Sequence, residues 1–203
     1  MIATLIAATP YLAGGFVLNL VISALAMALG SLTGAVLAML RGTGRWWLSG
    51  PAMLATSLCR NVPSFVLLFY VAFLLPVEIQ LSGRILAVPL WIKATVALTI
   101  PVTGFMSDQA RGYRRSREAG DPQAGATFLV AWVQYLLIII MASATASVIG
   151  ADEIVGRANR LVAQHQGPEF LLLTYGYVAL WFIGAGLAAS WTMHRLARRE
   201  PAP

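Results

Sequence analysis

The stretch GFVLNLVISALAMALGSLTGAVLAML, residues 15–40, runs for 26 residues without a charged side chain and stops at Arg41. A helix needs about 20 residues to cross a hydrocarbon layer about 30 Å thick, because each residue rises about 1.5 Å. Within lipid every backbone N–H and C=O must find its partner inside the segment, so a run of this kind is read as a membrane-crossing helix. The whole chain shares its character: of 203 residues, 59% are hydrophobic and 11% charged, against about 25% charged in a soluble domain.

Four further runs fit the same measure. The second span is expected at residues 63–77, after RWWLSGPAMLATSLC at 45–59, whose tryptophans suit an interfacial helix. The third has only 14 uncharged residues between Lys93 and Asp108, so it is expected to borrow ILAVPLWIK on its N-terminal side and to kink at Pro101. The fourth, residues 122–151, holds no charge over 30 residues and is expected to tilt or to end in a non-spanning piece. A polar amphipathic stretch, DEIVGRANRLVAQHQGPE, precedes the fifth span at 170–194, which RLARRE closes.

These runs predict an all-α membrane protein of about five transmembrane helices in one domain, residues 1–203. With the C-terminus inside, ten arginines lie on the cytoplasmic side and four basic residues outside, which predicts N-out, C-in. The opening MIATLIAATPYLAGG lacks the basic start of a secretory signal and is expected to be retained. The arginines sit at the ends of apolar runs rather than along a polar face, so the net charge of +6 reads as topology and not as nucleic-acid binding. A single cysteine, Cys59, excludes an intrachain disulfide.

Catalytic patterns are scarce. The one lysine, Lys93, stands in LWIKAT, so there is no glycine-rich loop ending in Gly-Lys-Ser/Thr to cradle nucleotide phosphates. Two histidines, His165 and His194, support neither a metal pair at helical spacing nor a nucleophile-His triad. Lys93 and the arginines are read as interfacial anchors. Gly30 with Gly34, and Gly186 with Ser190, form small-residue faces that serve either packing within the chain or a subunit contact. Polar groups inside apolar runs cost free energy unless paired or wetted, which makes Asn61, Ser64, Gln134, Ser143 and Thr145 substrate-pathway candidates. The hydroxyls among them can instead bond their own helix backbone.

At CRNVPSFVLLFYVAFLLP, residues 59–76, the chain resembles the permease subunits of amino-acid ABC importers of the histidine, arginine and glutamine type. Arg60, Pro63, Leu75 and Pro76 match that family's Arg-Gly-Thr-Pro element and the Leu-Pro closing its second span, while Asn61 and Val62 depart. SVIGADEI, residues 147–154, resembles the family's Ser-Val-Ile-Gly-x-x-Glu-Leu through Ser147 and Gly150. Pro122, Gln123 and Ala124 fall on its Leu-Pro-Gln-Ala, and Met141 and Ala142 replace its usual Lys-Asp.

The resemblance implies the transmembrane subunit of an ATP-driven importer of amino acids or similar small polar solutes, in the bacterial cytoplasmic (inner) membrane. It implies no cofactor in this chain, with ATP and Mg bound by an ATP-binding cassette ATPase dimer. It further implies a periplasmic or extracellular solute-binding protein and a second permease. The connector SDQARGYRRSREAGDPQAGATF, residues 107–128, departs from the family. Against the family, about twenty residues are missing there, which as helix would supply about 30 Å of path. Residues 112–121 are expected only to bridge two helices packed about 8 to 10 Å apart, with Glu118 and Ala119 a remnant of the Glu-Ala-Ala coupling signature. The expected ATPase-facing residues are Arg111, Arg114, Arg115, Arg117 and Glu118, and the partner is expected to be a longer permease with the full coupling loop. The alternative is a non-transporting scaffold or regulator with a permease-like fold.

Overall fold

The computed structural model describes residues 1–81, 83–165 and 167–197. A short helix, α1 (Ile2–Ala7), leads into the long α2 (Thr9–Arg41), with Pro10 in its first turn, where a missing N–H costs nothing. Then come α3 (Trp46–Asn61) and α4 (Ser64–Leu74), a two-stranded antiparallel hairpin of β1 (Glu78–Leu81) and β2 (Arg84–Ala87), and α5 (Leu90–Glu118). The chain closes with α6 (Ala124–Ser143), a 3-10 segment Ala144–Ile149, the amphipathic α7 (Ile154–Gln164) and α8 (Pro168–Ala197).

Four of these segments are long and apolar enough to cross a membrane, and the bent pair α3 and α4 makes a fifth if it counts as one span. The all-α expectation of about five spans therefore holds, with the hairpin as a small addition. Contacts along the bundle set the directions. Gly30 meets Val102 and Gly34 meets Met106, so α2 and α5 run parallel. Trp132 donates to Ser31 and Asn19 to Ser143, so α6 runs back between them. Thr9 bonds Tyr177 and Phe16 packs on Trp181 and Phe182, so α8 runs with α2.

The α2–α5 seam decides whether the Gly30/Gly34 face serves the chain itself or a second subunit. A Cβ on Gly34 would lie 2.6 Å from both the Met106 Cβ and the Thr103 carbonyl oxygen, and one on Gly30 would meet Val102. The glycines let two backbones touch within the chain, and the Thr33 and Thr103 hydroxyls bond at 2.6 Å beside them. Around this seam lies the larger apolar core, with Ile22, Met27, Leu68, Leu98, Val102 and Ile139 buried. A second core joins Leu12 and Phe16 of α2 to Ile154 and Ala158 of α7 and Phe170 and Val178 of α8.

Three local expectations need correction. Residues 84–87 are strand rather than helix, and α5 begins at Leu90, because the residue before Pro89 is biased to extended backbone. The second span is not one straight helix from residue 63 to 77. The break at Pro63 between α3 and α4, which meet at 102°, falls where the interfacial helix is expected to give way to the span, but Leu75 before Pro76 ends α4 after 11 residues, about 16 Å of rise. The connector is not a loop from residue 112, since α5 runs helical to Glu118 and the link to α6 is only residues 119–123. Gly120 (φ 77) ends α5, with the N–H groups of Gly120 and Asp121 returning to the carbonyls of Arg117 and Ser116. Elsewhere α5 continues helical through Pro101, and the fourth run narrows to a 3-10 segment that belongs to the same candidate span, Ala124–Ile149.

Candidate functional site

At the arginine-rich end, three helices are tied by one carboxylate. Asp108 of α5 accepts from Arg41 of α2 through Oδ1 and from Arg60 of α3 through Oδ2, both at 2.7 Å. Arg41 Nη1 also donates to the Ser107 hydroxyl at 2.8 Å, and that hydroxyl bonds Thr56 at 2.9 Å. Arg111 Nη1 donates to the Arg41 carbonyl oxygen and so caps the end of α2. The α3 backbone comes close enough that a Cβ on Gly104 would lie 2.8 Å from the Arg60 nitrogen. Arg60, expected as a structural motif residue, is here an ion-pair partner. Arg111, expected to face the ATPase, has one nitrogen committed to the fold.

At the opposite end lies a buried polar group that sequence reasoning passes over. Asn19, Ser143 and Glu153 are all fully buried. Asn19 Nδ2 donates to Ser143 Oγ at 2.9 Å and to Glu153 Oε2 at 3.0 Å, while Asn19 Oδ1 accepts the Ile154 N–H. Glu153 also accepts from the N–H groups of Val155 and Gly156, the N-terminal capping geometry of α7. Burial pushes its carboxyl above the ordinary carboxylate range, and the bonds from Val155, Asn19 and Gly156 pull the other way. Two sequence signals point here: Asn19 is the only amide in the first apolar run, and Glu153 immediately precedes an amphipathic helix.

Lys93 corrects its reading as an interfacial anchor. It is 2% exposed, and its Nζ donates to the carbonyls of Ala72 at 3.0 Å and Leu75 at 2.8 Å. These are carbonyls at the end of α4, which stops at Leu74 without a following helical turn to satisfy them. The ammonium therefore holds the short α4 against α5 at a fixed depth.

The five pathway candidates are not brought together. Ser143 belongs to the Asn19 group and donates to the Ile140 carbonyl, and Thr145 donates to Ala142. Asn61 is exposed and bonds Ser57, Ser64 is half-buried at the start of α4, and Gln134 is exposed on α6. Beside Ser64, Phe65 meets Phe69 edge to face and Phe69 stacks on Phe73 along one side of α4, with Phe73 and Tyr70 largely exposed.

The motif residues take up structural positions. Pro63 caps α4, Gln123 starts α6 with its N–H on the Asp121 carboxylate, and Pro122 lies in that turn. Ser147 bonds the Ala144 carbonyl, and Gly150 (φ 90) ends the 3-10 segment in the left-handed region that favours glycine. Of the coupling candidates, Arg114 pairs with Glu118 at 2.7 Å, while Arg115 and Arg117 are exposed. Among the described residues, nothing outside its own helix turn lies within 4 Å of a Cβ built on Gly186, so no described neighbour packs against that glycine. Arg198 and Arg199 fall outside the described residues. Among the described residues, no three His, Cys, Asp or Glu side chains are placed to hold a metal ion.

No family model matches the sequence, and no curated protein matches it. One solved structure does, described as the crystal structure of an amino acid ABC transporter with histidines. The two share 18% identity at a TM-score of 0.72, over 94% of this chain and 96% of that chain. At that identity the likeness is one of fold, and the chain has the fold of an amino acid ABC transporter chain along nearly its whole length.

Proposed function

We propose that this chain is a transmembrane subunit of an ATP-driven, binding-protein-dependent importer of amino acids or similar small polar solutes in a bacterial cytoplasmic membrane. The observation that carries the reading is the shared fold across 94% of the chain. The motif residues support it, because Arg60, Pro63, Gln123 and Gly150 each sit where a helix starts, ends or is tied to another. ATP and Mg are assigned to a partner ATPase dimer, and substrate delivery to a solute-binding protein.

The link of residues 119–123 leaves no room for a projecting docking helix, so the main coupling element is assigned to a second, longer permease. This chain then offers the ATPase only the blunt tip of α5, where Arg117 is exposed. The aromatic side of α4 and the Gly186 side of α8 are available to the second permease. The short link also favours a second reading, a non-transporting scaffold, because a subunit without a docking helix need not be driven.

Affinity purification of the chain from its native membrane tests both. Recovery of an ATPase and a longer permease supports the complex, and recovery of the chain alone rejects it. Loss of solute uptake on deletion of the chain supports the importer reading, whereas unchanged uptake by the remaining subunits supports the scaffold.

A further inference from the structure

The small residues of α2 continue past the tight seam. After Gly30 and Gly34 come Ala38 and Gly42 at the same four-residue spacing, and a Cβ on Gly42 would meet an α5 side chain, Arg114, rather than the α5 backbone. Between them and the last turns of α5 opens a groove of about 200 Å³, lined by Ala38, Gly42, Arg111, Arg114, Arg115 and Glu118. Arg114 Nη1 lies 3.7 Å from where a Cβ on Gly42 would stand.

Charge is out of balance here. In the groove and the adjoining ion-pair cluster, five guanidiniums (Arg41, Arg60, Arg111, Arg114, Arg115) face two carboxylates, Asp108 and Glu118. Asp108 is already shared by Arg41 and Arg60. Among the described residues, acceptors engage only Nη1 of Arg111 and Nε of Arg114 on the groove side. Guanidiniums gathered in this way match the oxygen fork of a phosphate.

Depth and size narrow the occupant. Trp46 and Trp47, four and five residues beyond Gly42, are 83% and 54% exposed, and Arg45 lies over the Trp47 ring. Exposed tryptophans at the end of an apolar helix mark the headgroup layer, so the groove opens at the level of lipid phosphates. Its volume of about 200 Å³ suits a phosphate group and not a helix about 10 Å across. We propose that this groove binds the phosphate headgroup of an anionic phospholipid. The inference requires that the chain lie in a membrane and does not depend on its transport role.

Native mass spectrometry of the full chain in detergent, titrated with phosphatidylglycerol, phosphatidylcholine or inorganic phosphate, tests it. One phosphatidylglycerol is expected to bind in preference to phosphatidylcholine, and millimolar phosphate is not expected to displace it. Gly42→Leu, at an ordinary helical φ of −85, fills the groove while leaving every arginine, and is expected to abolish the preference. Arg114→Gln with Arg115→Gln is expected to weaken binding roughly thirtyfold, from about 1 kcal/mol per basic group. Arg117→Gln, outside the groove, is expected to bind as the wild type does. Wild-type binding by both groove variants, or equal retention of the two lipids, would overturn the proposal. Displacement by phosphate would make this a free-anion site. Loss of a co-purified ATPase in the groove variants with lipid binding intact would make it a protein contact, and either result overturns the proposal.

Discussion

Asn19 and Glu153 are 134 residues apart in the chain, and their side chains meet at 3.0 Å in a fully buried position. The pair fixes α7 across the N-terminal half of α2, where a Cβ on Gly15 would lie 2.7 Å from the Ile154 backbone. Asn19→Leu removes both the donor to the carboxylate and the acceptor for the Ile154 N–H. The expected loss is about 2 to 3 kcal/mol, the cost of leaving buried polar groups unsatisfied. Thermal denaturation in detergent checks it, and an unchanged midpoint would remove the pair from the account of stability.

The Lys93 ammonium meets two carbonyls at the end of a helix that is too short to span alone. Lys93→Met keeps the apolar stem but orphans both acceptors. The expected result is faster hydrogen exchange along α4 and a loss of about 1 to 3 kcal/mol. Exchange confined to the β1–β2 hairpin, with α4 as protected as before, would contradict this role.

Two glycine faces should respond in opposite ways. Gly34→Ala drives a methyl into the Met106 side chain and the Thr103 carbonyl, and is expected to cost about 1 to 3 kcal/mol by overpacking. Gly186→Ala meets no neighbour among the described residues and is expected to change stability by less than about 0.5 kcal/mol. A substantial loss at Gly186 in the isolated chain would show a packing role that the fold does not contain.

Asp108→Asn weakens two ion pairs at once. Because the carboxylate is about one-third exposed and Arg60 more so, solvent screens part of their strength, and the expected loss is about 1 to 2 kcal/mol. That loss should shrink at high salt, as screening lengths fall to about 3 Å at 1 M. Melting curves of wild type and variant at low and high salt measure both effects, and a difference that does not change with salt would rule out an electrostatic origin.

Much of the architecture is legible in the sequence because the bilayer imposes it. An uncharged run of 26 residues has one economical way to pair its backbone in lipid, so span number and rough position follow from residues 15–40 and their counterparts. Prolines and glycines at fixed places announce the breaks: Pro63 and Pro76 bracket α4, and Gly120 and Gly150 end their segments. Local chemistry decides these breaks, although the sequence alone set the end of α4 three residues too late and the end of α5 several residues too early.

Tertiary structure alone decided which polar groups meet. Lys93 reads as an anchor because it borders an apolar run, yet it is buried, since its partners are carbonyls some twenty positions earlier that no side-chain pattern reveals. Gln134 and Asn19 are both amides within apolar runs, yet Gln134 lies exposed and Asn19 is buried against Glu153. The Gly30/Gly34 spacing fits an internal or an external seam equally well until α5 is placed against it. The sequence determined where helices form, because that depends on neighbours along the chain. Which faces and charges are satisfied depends on neighbours in space, and only the packed bundle supplies them.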